Sequence, residues 1–408
     1  AHLVSVIAPG ITDHDASRSL EELGQLTHTA GSDPVGTSLL HRDRLDPATF
    51  IGKGQAQRVQ RETTAADVDV VVFDNALTPV QQRNLQEIFG CDVVDRTAVI
   101  LDIFAQHATS KAGMLQVELA QLRYRLPRLR GRGIAMSRLA GGIGTRGPGE
   151  TKLETDRRRI GTRISKLEKE LTHIGKVRNT QRKARRRDDA TSVALVGYTN
   201  AGKSTLLNAL TDAGTLTEDQ LFSTVDPTVR RLELASGPVL LSDTVGFVRN
   251  LPHELVEAFR STLEQISEAD LLLHVVDASD AEPESQIAAV HDVLAEIGAL
   301  GLPELLVFNK IDAAPQTATA RLLALHPGSI GVSALAGTGL DSLRERLAEA
   351  RRADHVVAAF VVPYDHGEVV AALHRHGEVL EESYEEAATH LKVRAPAASL
   401  RPFDEFRT

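Results

Sequence analysis

The stretch GYTNAGKST at residues 197–205 constrains this chain more than any other. An apolar run, VALV at 193–196, precedes it, and a helical pattern, LLNAL at 206–210, follows it. The order is strand, glycine loop, helix, and the spacing Gly197-x4-Gly202-Lys203-Ser204 is that of a P-loop. In such a loop the backbone N–H groups and the helix N-terminus cradle an anionic phosphate. Lys203 adds a point charge at the terminal phosphates, and the Ser204 hydroxyl is placed to ligate Mg²⁺. Tyr198, Thr199, Asn200, Ala201 and Thr205 complete the expected cradle. The architecture expected around it is an α/β P-loop domain with a doubly wound sheet.

The choice of base follows from a second motif. Asn309, Lys310, Ile311 and Asp312 come directly after the apolar run LLVF at 305–308. A carboxylate at a strand end accepts two N–H bonds from guanine, at N1 and the 2-amino group, and adenine offers no such pair. Asp312 is therefore expected to select guanine, with Asn309 and Lys310 supporting the loop and covering the base. Ser333, Ala334 and Leu335 follow a short strand pattern, IGV at 330–332, and fit the small-residue loop whose backbone reads the guanine carbonyl. Asp243, Thr244, Val245 and Gly246 follow VLL at 239–241. Asp243 suits an outer-shell Mg²⁺ contact, and the Gly246 N–H suits the γ-phosphate. Four motifs in this order, each at a strand end, predict a GTPase that binds GTP and GDP with Mg²⁺.

Charge separates the remaining functions. The 408 residues carry a net charge of −9, which by itself argues against nucleic acid. Residues 111–187, however, hold 22 Lys/Arg against 6 Asp/Glu, an excess of 16 that leaves −25 for the rest. A concentrated basic segment is the electrostatic footprint of a phosphate-backbone partner. The single cysteine, Cys91, rules out an internal disulfide, fits a reducing cytoplasm and is expected in the core. No apolar stretch approaches 18 residues, so no membrane partner is expected. No signal peptide is visible. The chain opens inside a strand-like run, residues 3–7, so its natural start is expected to lie upstream.

Four regions are expected. Residues 1–107 alternate strand patterns (3–7, 68–73, 91–94) with helical ones (55–64, 79–89), as in a small α/β domain. The glycine turn at 50–54 reads as a tight strand-to-helix connection. Residues 108–189 read as two long helices. Leu115, Leu119, Leu122, Leu126 and Leu129 mark one; Leu153, Ile160, Ile164, Leu167, Leu171 and Ile174 mark the other as a heptad seam. They are expected to pair as a hairpin in a monomer, with an intermolecular coiled coil as the alternative. Between them, residues 131–149 are rich in glycine and contain three arginines. Such a segment cannot order itself by burial, and its glycines and arginines suit close approach to RNA. Residues 190–352 form the P-loop domain. Residues 353–408 read as a small α+β domain whose scattered His366, His374 and His376 form no metal set.

These residues resemble the HflX family of translational GTPases over essentially the whole chain. The most specific piece is GGIGTRGPGETKLETDRR at 141–158. DIFAQHA (102–108), GMLQVELAQLR (113–123), LFSTVDPT (221–228) and DTVGFVRNLPHELVEAF (243–259) are similar to the family as well. The resemblance implies an N-terminal α/β domain, a helical linker, an Obg-like GTPase domain and a small C-terminal domain. It also implies binding to the large ribosomal subunit and the 70S ribosome, with ribosomal RNA met by residues 111–187. For several members it implies splitting of 70S ribosomes stalled by stress or antibiotics, or hibernation. Phe222, Ser223, Thr224, Val225 and Asp226 match the family's switch I, where Thr224 closes on Mg²⁺. The run RKARRR at 182–187 is a minor departure at the linker.

The catalytic set expected is Lys203, Thr224 and Gly246, with Ser204 and Thr224 on Mg²⁺. The water-positioning glutamine of Ras-type enzymes is absent: Phe247 follows Gly246. An apolar ring cannot orient water. Hydrolysis is expected to be slow until another group, the ribosome, or a K⁺ ion held by Asn200 supplies the missing function. Two other classes remain open from sequence. One is a GTPase of RNA modification or large-subunit assembly, and the other is a signalling GTPase with protein partners only.

Overall fold

The computed structural model describes residues 1–129, 148–185, 191–211, 221–222, 228–249, 252, 255–256, 259, 263, 266–353, 355–385, 387–396 and 400–408. The Gly/Arg-rich tip with Arg138 and Arg146, and Ser223, Thr224, Val225 and Asp226, lie outside them. The chain divides into two compact units. One holds residues 1–176 with 218–227 and 245–264; the other holds 177–217, 228–244 and 265–408.

The first unit opens with a four-stranded sheet. Its strands are β1 (His2–Ile7), β2 (Gly36–His41), β3 (Val70–Phe73) and β4 (Asp92–Asp95), all parallel, in the order β2-β1-β3-β4. Helices α1 (Asp13–Thr29), α2 (Lys53–Ala65), α3 (Pro79–Phe89) and α4 (Arg96–His107) alternate with the strands. Every residue of β1 is buried, as a central parallel strand covered on both faces requires. Cys91 packs partly buried against this core. Local chemistry fixes the helix starts: Thr78 and Gln81 form a capping box on α3, and Asp95 caps α4. The turn before α2 has Phe50 and Gly52 at φ of 63° and 78°, but β2 ends at His41, so the connection runs through residues 42–52 and is longer than the tight turn expected at 50–54.

Asp95 also ties the sheet to the next helix. It accepts from Tyr124 Oη at 2.9 Å and from Arg128 at 3.1 Å, both on α5 (Lys111–Arg128). Helix α6 (Pro148–Arg185) then packs back along α5. Leu115, Leu119 and Leu167 are buried in that seam with Leu122, Ile164, Leu171 and Ile174 around them, so the heptad leucines meet within one chain. Arg163 grips Glu118 through two bonds of 2.6 Å, and Arg123 meets Glu168 at 2.8 Å. A buried cluster of rings closes the unit: Phe104 of α4 meets Phe222 and Phe259 edge-on, with centroids 4.8 and 4.7 Å apart.

The second unit is built on a six-stranded sheet. Its strands are β5 (Thr191–Gly197), β6 (Thr228–Leu234), β7 (Gly237–Asp243), β8 (Leu271–Asp277), β9 (Glu304–Asn309) and β10 (Ile330–Gly331), in the order β10-β9-β8-β5-β7-β6. All neighbours are parallel except β6 and β7. Helices α7 (Lys203–Thr211), α8 (Pro283–Glu296), α9 (Gln316–Leu325) and α10 (Leu340–Ala353) accompany it. Strand β5 lies between β7 and β8, at the point where the strand order reverses and such folds bind ligands. The C-terminal part pairs β11 (His355–Pro363), β13 (Ala388–Pro396) and β12 (Glu378–Tyr384) as an antiparallel sheet in the order β11-β13-β12, with α11 (Gly367–His376) and Leu400 on its core face. Among the described residues no helix is long and apolar enough to cross a membrane.

Candidate nucleotide site

Strand register brings the motifs to one edge of the second sheet. Leu195 stands opposite Asp243, Gly197 opposite Val275, and Asp277 opposite Asn309, so the carboxyl ends of β5, β7, β8 and β9 lie side by side. The loop between β5 and α7 needs its glycines. Gly197 has φ of 151°, and a Cβ there would collide with the carbonyl oxygen of Val275. Gly202 has φ of 87°, and a Cβ there would collide with the Asn309 amide. Asn200 is left-handed at φ of 59°, a backbone reason for asparagine independent of any ion. Gly197→Ala is expected to destabilise the fold by about 1–3 kcal/mol through strain alone. Gly54→Ala, whose Cβ meets nothing within 4 Å, is the control. Equal denaturant midpoints for the two variants would refute the account.

Lys203 is 6% exposed, and its Nζ donates to the carbonyls of Gly197 at 3.0 Å and Tyr198 at 2.8 Å. Burial lowers its pKa to about 8, against a smaller raising effect of Asp243. The loop therefore holds a buried lysine whose charge burial disfavours and whose partners are the loop's own carbonyls. Ser204 Oγ donates to Asp243 Oδ2 at 2.6 Å, which places a hydroxyl and a carboxylate together. Two hard oxygen donors of this kind fit Mg²⁺. Thr199 Oγ1 is buried with no hydrogen-bond partner among the described residues, an orphan that a phosphate oxygen or water would satisfy. Thr244 is spent structurally, its hydroxyl donating to Leu195 O at 2.6 Å.

The base-side loops are locked together by one side chain. Asn309 donates to the Ala201 carbonyl at 2.9 Å and accepts the Ala334 N–H at 3.0 Å, so a single amide spans three motifs. Lys310 has φ of 61° and pairs with Asp277 at 2.7 Å. Ser333 is fully buried and its hydroxyl accepts the Ala336 N–H at 3.0 Å. Ile311 is half-buried and packs against the core around Phe308. Asp312 and Leu335 are exposed at this edge, Leu335 by 85%. Asp277 is the participant that motif reading missed; its only signal was its place at the end of an apolar strand.

Val245, Gly246 and Phe247 belong to the first unit and are buried, Phe247 to 1% exposure. The Phe222 ring is buried too, against Phe104, with φ of 59°. No sequence spacing linked residues 104, 222 and 259.

Comparison with known proteins agrees with this geometry. Three family models match in chain order: GTP-binding GTPase N-terminal over residues 17–105, GTP-binding GTPase Middle Region over 107–185, and 50S ribosome-binding GTPase over 192–310. The GTPase HflX of Caldanaerobacter subterraneus is 45% identical over 393 residues, covering 95% of this chain and 90% of that one. That of Lacrimispora saccharolytica is 44% identical over 94% of this chain and 91% of its own. That of Escherichia coli is 42% identical over 94% and 91%. With a P-loop fold, the four motifs at one sheet edge and this likeness along nearly its whole length, the chain is a GTPase and belongs to the HflX family.

Proposed function

We propose that this GTPase is a cytoplasmic, monomeric factor that binds the large ribosomal subunit and splits or rescues stalled 70S ribosomes. The observation that carries the reading is the charge segregation: 22 basic against 6 acidic residues between 111 and 187, on a chain of net charge −9. Within that segment α5 and α6 pair through a buried leucine seam. The model matching residues 192–310 describes a 50S ribosome-binding GTPase, which supports the same partner. A signalling GTPase with protein partners only has no use for such a segment.

In this reading Lys203 and the loop amides hold the β- and γ-phosphates, and Asp312 holds guanine. Ser204 and Thr224 hold Mg²⁺, with Asp243 behind them. When bound there, Mg²⁺ would supply positive charge beside the phosphates. The Gly246 N–H meets the γ-phosphate. Phe247, buried and apolar, orients no water, so the ribosome supplies the missing group. A K⁺ ion held by Asn200 is the competing supplier, and comparing turnover in potassium and sodium at equal ionic strength separates the two. Equal rates without ribosomes remove K⁺ from the mechanism.

The partner is tested by sedimentation with ribosomes in the presence of a non-hydrolysable GTP analogue. Replacing Arg138 and Arg146 by Ala is expected to weaken co-sedimentation about tenfold at fixed salt, leaving GTP affinity near wild type. Binding of the intact chain is expected to fall steeply as salt rises. Retention of full ribosome binding by a chain lacking residues 131–149 would overturn the role of the tip.

A further inference from the structure

One polar cluster in the second unit contains none of the nucleotide-motif residues. His274 lies on β8, His291 on α8 and Glu304 at the start of β9. His274 Nδ1 is 2.5 Å from Glu304 Oε1, and His291 Nε2 lies 3.0 and 3.1 Å from the two carboxylate oxygens. Their candidate ligand atoms all fall within 4.8 Å of one another. The two imidazole rings are 5.5 Å apart at 68°, so they converge on the carboxylate from different directions instead of stacking. His274 is 1% exposed, whereas the side chains of His291 and Glu304 are 35% and 25% exposed. The cluster is thus anchored in the sheet on one side and open to solvent on the other.

We propose that His274, His291 and Glu304 form a binding site for one late first-row divalent cation, of the Zn²⁺ type. Two nitrogens and one carboxylate oxygen are the donors such ions prefer, whereas Mg²⁺ and Ca²⁺ take oxygen sets. Three protein ligands leave a fourth position for water on the solvent side, as in open zinc sites. Bonds of about 2.0–2.2 Å to one tetrahedral ion set its ligand atoms roughly 3.3–3.6 Å apart, so His274 Nδ1 and Glu304 Oε1, hydrogen-bonded at 2.5 Å, must separate by side-chain rotation to admit it. Coordination through His274 Nδ1 moves the ring proton to Nε2. That atom is buried with no hydrogen-bond partner among the described residues, so coordination would leave an unpaired buried N–H there, a cost the metal bonds must exceed. The bound ion would tie α8 to the two strands that end in Asp277 and Asn309. Glu304 opens β9 and Asn309 ends it, so the ion would lie toward the opposite end of β9 from the base-side loops and would brace α8 against β8 and β9 without touching nucleotide.

The test uses the full chain, stripped with a chelator and held in GDP and excess Mg²⁺ so that the nucleotide site does not compete. Titration calorimetry with Zn²⁺ is expected to show one equivalent bound with micromolar or tighter affinity. Co²⁺ in its place is expected to give the visible absorption of a four- or five-coordinate ion. His291→Ala, on a partly exposed helix face, and Glu304→Gln are each expected to weaken Zn²⁺ binding at least tenfold with GDP affinity unchanged. The thermal midpoint of the intact chain should rise by several degrees with Zn²⁺, and that of His291→Ala should not. Absence of saturable Zn²⁺ binding would overturn the proposal. So would saturable binding of equal affinity in both variants, which would place the ion on other histidines.

Discussion

Asp312→Asn is expected to lower GTP affinity by about two to three orders of magnitude and to shift preference toward xanthosine nucleotides. The carboxylate is exposed in the loop after β9, open to a ligand. Two charge-assisted bonds to guanine N1–H and the 2-amino group are each worth about 1.5–3 kcal/mol. Asparagine keeps the shape but turns one acceptor into a donor. Guanine then faces donor against donor, while the 2-oxo group of xanthine finds a partner. The lock that positions the loop is untouched, because Asn309 still joins Ala201 and Ala334 and Lys310 still meets Asp277. Fluorescent-nucleotide titrations of GTP and XTP against both proteins measure the switch. Undiminished guanine selectivity in the variant would remove Asp312 from base recognition.

The contrast between Asp312 and Asp277 shows how much of the site the sequence could disclose. Asp312 sits in a four-residue motif directly after an apolar run, so local sequence marks it as a candidate. Asp277 acts through a contact with Lys310 that is 33 positions away, and nothing local marks it. The same division runs through the fold. The hairpin was legible because Leu115, Leu119, Ile164, Leu167 and Leu171 repeat at heptad spacing, and the period itself dictates a seam. Strand β2, GTSLLH, was not: it is an edge strand of mixed burial, and its short run carries no clear alternation. Asp95 and Arg96 were also silent. Asp95 gathers Leu77, Ala98, Tyr124 and Arg128, and Arg96, 2% exposed, bridges Glu22 at 2.7 Å and Asp74 at 2.8 Å. Buried charge is tolerable only with such partners, and the partners come from distant segments. The His274, His291 and Glu304 cluster escaped notice for the same reason, since ligand spacing in sequence means little when three separate elements supply the atoms.

Lys203 yields the second large effect, and it is a function of pH. Its pKa stands at about 8 because burial disfavours the charge. A phosphate group against Nζ stabilises the ammonium, so the nucleotide-bound pKa must lie higher than the free one. Below pH 8 the lysine is charged with or without nucleotide, and affinity is flat. Above pH 8 binding must take up a proton, and affinity is expected to fall by up to about tenfold per pH unit. Folding runs the other way. The folded pKa lies below the unfolded value, so the unfolded chain holds more protons from pH 8 upward. The contribution of Lys203 to stability therefore rises with pH through that window. The guanine ring also loses a proton in alkali, so Lys203→Met is needed as the reference. The difference between wild type and variant, measured by nucleotide titration and by denaturant unfolding from pH 7 to 9, isolates the lysine. Wild-type and variant affinities that fall in parallel above pH 8 would show that Lys203 does not titrate in this range, and would assign its hydrogen bonds to Gly197 and Tyr198 to an ammonium stable well into alkali.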